Sequence, residues 1–225
     1  MENIMQNNYR GYYKPFIVFL IVYAIVNFMM WDWSGGTLFL MLIWNVFLAT
    51  IPIFLAKKAL NYYKKSKFIS WLFGIAWLFF WPNTFYMVTD IIHLTKDSFF
   101  EIDNGLVYST DIFVWCKALV IILGVLYAVF VGIKSQEQIE KVFEDTSKKI
   151  LVYLFRFLCS VLCGIAIYIG RFLRLNSWDI INPYKIVMKF ITFGHEWSFI
   201  ISFIMLFAFF VFIVLSFAET FTKQM

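Results

Sequence analysis

The stretch Trp81-Pro82-Asn83-Thr84-Phe85-Tyr86-Met87-Val88-Thr89-Asp90-Ile91-Ile92-His93-Leu94 opens as the end of an apolar helix and closes as a row of polar groups. Asn83, Tyr86, Asp90 and His93 are spaced 3, 4 and 3, which on an α-helix places them on one face. Polar groups at a membrane boundary lose favourable hydration unless partners replace the water. A whole face of them marks a candidate site, and the apolar run before it marks a membrane-embedded segment.

The rest of the chain supports that reading. Of 225 residues, 62% are apolar, 22% aromatic and only 15% charged, with a mean hydropathy of +0.79. A soluble domain carries about 25% charged residues. The apolar residues fall in several runs of about 20, the length that spans a bilayer core. The expectation is an all-α membrane protein: one polytopic transmembrane domain over residues 1–225, with about six transmembrane helices. Cys116, Cys159 and Cys163 lie inside apolar runs and read as packing residues, without metal-type spacing or a disulfide framework.

Working outward, the spans are expected at 16–30, 37–56, 68–94, 111–133, 150–170 and 197–217. Pro82 has no N–H and its ring crowds the preceding turn, so the third span should kink there. The first span, with no small-residue cleavage site after it, reads as retained. The loop 57–67 holds Lys57, Lys58, Lys64, Lys65 and Lys67 and no acid, which predicts a cytoplasmic location. Both termini then fall in the cytoplasm. On that topology the cytoplasmic parts hold thirteen Lys/Arg and the outer parts five, with Lys117 inside the fourth span. The net charge of +5 thus reflects insertion topology, and no nucleic-acid partner is expected.

The loop 134–149 reads as a short cytoplasmic helix. Asn182-Pro183 opens another helix, with Asn182 as N-cap and Pro183 at the first helical position. In it Ile186, Val187, Phe190 and Ile191 recur at amphipathic spacing opposite Lys185 and Lys189. That pattern suits a short interfacial helix on the outer side.

The topology gathers the unusual polar residues at the outer side: Asn83, Asp90 and His93 from span three, then Arg171, Arg174, Asn176, Trp178 and Asp179 after span five, with His195 and Glu196 before span six. In one reading Asp90 pairs with Arg171 or Arg174 and pins span three to span five. In another, Arg171 and Arg174, three apart on a continuing helix, grip a phosphate or carboxylate, with Asn83, Asn176, Trp178 and Asp179 lining the site. Asp90 then orients His93 or acts as a base, and His93 carries a proton, so these two are the candidate catalytic residues. A third reading makes Asp90, His93 and His195 or Glu196 metal ligands, although a lone Asp-x-x-His pair arises readily by chance. Lys117 either snorkels outward or joins the site, and Arg156 snorkels to the cytoplasmic interface.

Pro82-Asn83, Thr89-Asp90 and His93-Leu94, together with Gly170-Arg171-Phe172-Leu173-Arg174-Leu175-Asn176-Ser177-Trp178-Asp179, resemble an uncharacterised bacterial integral-membrane family, domain of unknown function 1361. The resemblance covers most of the chain from the second span onward. It implies bacterial origin and a multi-pass cell-membrane protein, and brings no activity or cofactor with it.

Three functions compete. The protein binds or processes an anionic lipid or envelope precursor at the extracytoplasmic face. Alternatively, it is an accessory or scaffold subunit whose partner is another membrane protein. A small-solute transporter ranks last, because Asn27 and Asn45 are the chief polar groups in spans one, two and six.

Overall fold

A computed structural model describes residues 2–102, 106–141, 149–175, 182–193 and 196–222. Among them six helices are long and apolar enough to cross a membrane: Tyr13–Ser34, Leu38–Tyr62, Lys67–Lys96, Ile112–Glu140, Ile150–Arg171 and Trp197–Phe221. The protein is a multi-pass membrane protein. The first span belongs to α1 (Glu2–Ser34), the second is α2 (Leu38–Tyr62), and the fourth is α5 (Ile112–Glu140). The fifth lies in α6 (Lys149–Arg171) and the sixth in α8 (Trp197–Thr222). Gly35 turns α1 into α2 with φ +66°, a conformation that costs glycine little.

The third span is not one helix. It runs as α3 (Lys67–Phe80), breaks at Trp81-Pro82, restarts as α4 (Pro82–Tyr86) and continues as a 3-10 helix over Met87–Lys96. The break falls where proline was expected to impose one. Asn83 Nδ2 donates to the Phe80 carbonyl (2.8 Å) and Thr84 Oγ1 to the Trp81 carbonyl (2.7 Å), covering oxygens beside the break. Trp81 itself is fully buried, and its Nε1 donates to the Gly132 carbonyl on α5 at 3.0 Å. Beyond the span, β1 (Phe100–Ile102) pairs antiparallel with β2 (Leu106–Tyr108), a hairpin the sequence reading did not foresee.

Three buried clusters result among the described residues, the smallest made of Tyr168, Leu173, Leu175 and Ile200 at the end of α6. Phe16, Tyr23, Leu42, Val46, Ile121, Ala128 and Met87 belong to one buried core that joins α1, α2 and α5 to the 3-10 helix. The second core joins α6 and α8 to the kinked span through Trp77, Trp81, Phe85, Cys159, Cys163, Val211 and Leu215. Helices α6 and α8 approach closely at Gly164, where a Cβ would lie 2.5 Å from the Ile204 carbonyl oxygen.

Two expectations are corrected. Residues 134–140 are not a separate helix: α5 continues to Glu140, with Ser135, Gln136, Gln138, Ile139 and Glu140 buried. Nor does Arg156 snorkel. Its side chain is 4% exposed. Its Nε and Nη2 bind Glu140 at 3.0 and 2.7 Å, and Nη1 binds Glu219 at 2.7 Å. A guanidinium reaches outward for water only when the bundle offers no carboxylate, and here it offers two.

Candidate functional site

The 3-10 geometry sets the register of the site. Three residues complete each turn, so Met87, Asp90, His93 and Lys96 form one stripe, with His93 about 6 Å along the axis from Asp90. Met87 and Asp90 are fully buried, His93 is half-buried and Lys96 is exposed. Ten residues is long for this helix type, whose hydrogen bonds are poorer than those of an α-helix. Side chains reinforce it: Thr89 Oγ1 donates to the Tyr86 carbonyl (2.6 Å) and Thr95 Oγ1 to the Ile92 carbonyl (2.7 Å), both three residues back.

Asp90 is the centre. Its Oδ1 accepts from Arg171 Nη2 at 2.7 Å and its Oδ2 from Asn45 Nδ2 at 2.8 Å. One carboxylate thereby ties the third span to α6 and to α2. Arg171 is held on three sides. Its Nε donates to Thr89 Oγ1 at 3.0 Å, and its Nη2 is shared between Thr89 and Asp90. The guanidinium carbon lies 4.8 Å from the centre of the Tyr86 ring, a cation–π contact. Tyr86 reaches that place because Gly170 has no side chain: a Cβ there would lie 3.1 Å from the ring. Arg171 Nη1 has no partner among the described residues.

A second ion pair closes the far end of the 3-10 helix. Lys117 Nζ of α5 lies 2.7 Å from Asp97 Oδ2, with side-chain exposures of 10% and 16%. Lys117 therefore neither snorkels freely nor touches Asp90; it anchors the residue that ends the 3-10 helix. Between the two pairs sits His93, whose Nε2 is buried with no hydrogen-bond partner among the described residues.

Arg171 and Arg174 do not share a helix face. α6 ends at Arg171, and Arg174 adopts the left-handed region at φ 51°, uncommon for a residue with a Cβ. The Leu175 N–H turns back to the Ile169 carbonyl (3.4 Å), leaving the Arg174 side chain exposed. Beyond lies α7 (Pro183–Phe193), where Asn182 Oδ1 accepts from the Lys185 N–H at 3.1 Å, as an N-cap does. Lys189 Nζ donates to the carbonyls of Leu173 (2.9 Å) and Arg174 (3.2 Å), fastening α7 to the end of α6.

The structure thus brings Asp90, His93 and Arg171 to one end of the bundle. Asn83 is at the proline break, and Arg174 is at the rim. Asn176, Trp178, Asp179 and His195 lie outside the described residues. Among the described residues, no three imidazole, carboxylate or thiol groups come together as metal ligands would. Sequence reasoning missed Asn45 as a partner of Asp90 and Thr89 as a partner of Arg171. Their signal was a polar group in an apolar helix and a hydroxyl directly before Asp90.

Both motifs and Asn45 fall inside a family match spanning residues 44–214, described as protein of unknown function (DUF1361). The chain belongs to that family. No curated protein and no solved structure matches it.

Proposed function

We propose that this multi-pass membrane protein holds an anionic group, the head of a lipid or of an envelope precursor, at the Asp90 end of its bundle. The observation that supports this is the state of Arg171. Asp90, Thr89 and Tyr86 fix its guanidinium, and Nη1 is left without a partner among the described residues. A preorganised guanidinium with a free edge is a strong receptor for an oxyanion. Arg174, exposed one turn beyond, and the capping Lys189 add positive charge at the rim. In this reading Asp90 positions Arg171 and does not act as a base, because both of its oxygens already accept hydrogen bonds.

The lysines of 57–67, from the last turns of α2 to the start of α3, favour the cytoplasm for their end, so in this reading the Asp90 end faces outward and both termini inward. α7 then lies in the outer interface with Val187 and Ile191, both exposed, toward lipid. The bacterial cell membrane is the setting that the family resemblance suggests.

A second reading, an accessory or scaffold subunit, draws on the same ion pair. A carboxylate whose oxygens are both occupied from within the chain is also what a purely structural clamp would show. Native mass spectrometry of detergent-purified protein separates the two, with wild type beside Arg174→Ala and Arg171→Lys. Co-purified anionic lipid that is lost in folded variants supports the binding reading. Clean apo masses throughout, with a membrane protein captured alongside, support the scaffold.

A further inference from the structure

We propose that His93 Nε2 is the ligand-facing donor of this site, and that the ligand is a singly charged lipid phosphodiester. This rests on the binding reading above and specifies its chemistry. The first observation is the orphaned nitrogen. His93 Nε2 is buried and lacks a hydrogen-bond partner among the described residues, whereas half-buried Asn45 and Thr89 and buried Asp90 beside it all have one. An unpaired buried polar atom is costly, and native structures tolerate one chiefly where something else completes it.

The second observation is the charge around it. Arg171, Lys117, Lys96 and Asp90 all lie within electrostatic reach of the imidazole, and Asp97 is paired to Lys117. With Asp97 counted, the described charges within that reach are three cations and two carboxylates, so one positive charge is unmatched at the imidazole; Arg174 and Lys189, at the rim, are not among them. A neutral imidazole N–H in that field favours an acceptor carrying one negative charge. A phosphodiester carries one. A phosphate monoester carries about 1.5 to 2 near neutral pH and fits less well.

The third observation is the flank. Ile91 and Ile92, on the other two faces of the same 3-10 turn, are 44% and 57% exposed. The turn that carries His93 thus lies among outward-facing apolar side chains, which favours the head of a lipid over a free ion as what comes near it. His93 as a whole is half-buried, so the imidazole turns to bring Nε2 out; the phosphate oxygen then accepts from His93 Nε2–H, with Arg171 Nη1 as the second donor.

The chain has only two histidines, His93 and His195, which makes nitrogen NMR of histidine-labelled protein in detergent practical. His195→Gln assigns the signals. Titration with short-chain phosphatidylglycerol should move the His93 Nε2 resonance as an N–H that gains an acceptor, and phosphatidylcholine, whose phosphodiester charge is cancelled by its own quaternary ammonium, should not. His93→Leu should weaken phosphatidylglycerol binding about tenfold or more, the effect of losing one hydrogen bond to a charged group. His93→Gln, which retains an N–H, should stay within about threefold. If phosphatidylglycerol binds while the His93 signal and the His93→Leu affinity are unchanged, the role of His93 is wrong and the binding reading survives. If it does not bind wild-type protein, the lipid phosphodiester proposal is overturned, and the binding reading is decided by the native mass spectra above. If inorganic phosphate alone moves the signal equally, the ligand is a free anion and the lipid assignment is overturned. Should His93→Leu not remain monodisperse, the wild-type titration decides.

Discussion

Asp90 and Arg171 are 81 positions apart in the chain and meet at 2.7 Å, with the Asp90 side chain wholly removed from the surface. A carboxylate buried in a span is tolerable only with such a partner, and the partner sits on the last residue of a different helix. The pair therefore fixes where α6 ends relative to the third span. Arg156 does the same at the opposite end of α6, through Glu140 and Glu219.

Removing one side of the Asp90 clamp should be costly. Asp90→Ala leaves a guanidinium without its charge partner, and the expected loss is about 3–5 kcal/mol. Asp90→Leu combined with Arg171→Met should recover much of it, because no unpaired charge remains. Unfolding of purified protein in detergent, followed by tryptophan fluorescence, measures both. A single variant as stable as wild type would remove the clamp from the account.

At the other end the two carboxylates are unequal. Arg156 Nε and Nη2 both donate to Glu140, which also accepts from Gln136 Nε2, and Arg156 gives Glu219 its Nη1. In double-mutant cycles with Arg156→Met, Glu140→Gln should therefore show the larger coupling, exceeding that of Glu219→Gln by about 1–2 kcal/mol, roughly one charge-assisted hydrogen bond. Equal couplings, or the reverse order, would contradict the asymmetry.

Two glycines in neighbouring apolar spans form a matched pair. A Cβ at Gly164 would lie 2.5 Å from a backbone oxygen of α8, while at Gly74 nothing lies within 4 Å. Gly164→Ala should cost about 1–3 kcal/mol by forcing α6 and α8 apart. Gly74→Ala should be neutral or slightly stabilising, since alanine is the better helix former. The same unfolding assay reports the contrast, and similar effects at both positions would show that the close approach is absent.

The helices were legible because apolar runs of span length have few alternatives, and the break at Pro82 because proline cannot continue the ladder. The 3-10 stripe was not. A spacing of 3, 4 and 3 reads as an α-helical face, and nothing local in 87–96 distinguishes the tighter helix, which is stabilised by tertiary anchors at Asp90 and Asp97. Arg171 and Arg174 looked like one face because their spacing suits a helix that in fact stops between them. Arg156 looked like a snorkelling residue because its partners Glu140 and Glu219 are 16 and 63 positions away. Pairings at such distances are decided by how the helices pack.

Asn45 offers the sharpest test of how Asp90 is held. Its amide donates to the Asp90 oxygen that Arg171 does not take. Asn45→Leu removes that donor and leaves a buried carboxylate oxygen unsatisfied, at a cost of about 1–3 kcal/mol. Asn45→Asp should be worse, because it replaces the donor with a second negative charge against a group already buried. Asn45→Gln, which keeps a donor on a longer arm, should fall between wild type and Asn45→Leu. Unfolding of the three variants at neutral pH gives the order. Were Asn45→Asp as stable as wild type, Asp90 would have to be held by Arg171 alone, and the tie from the third span to α2 would be structural coincidence.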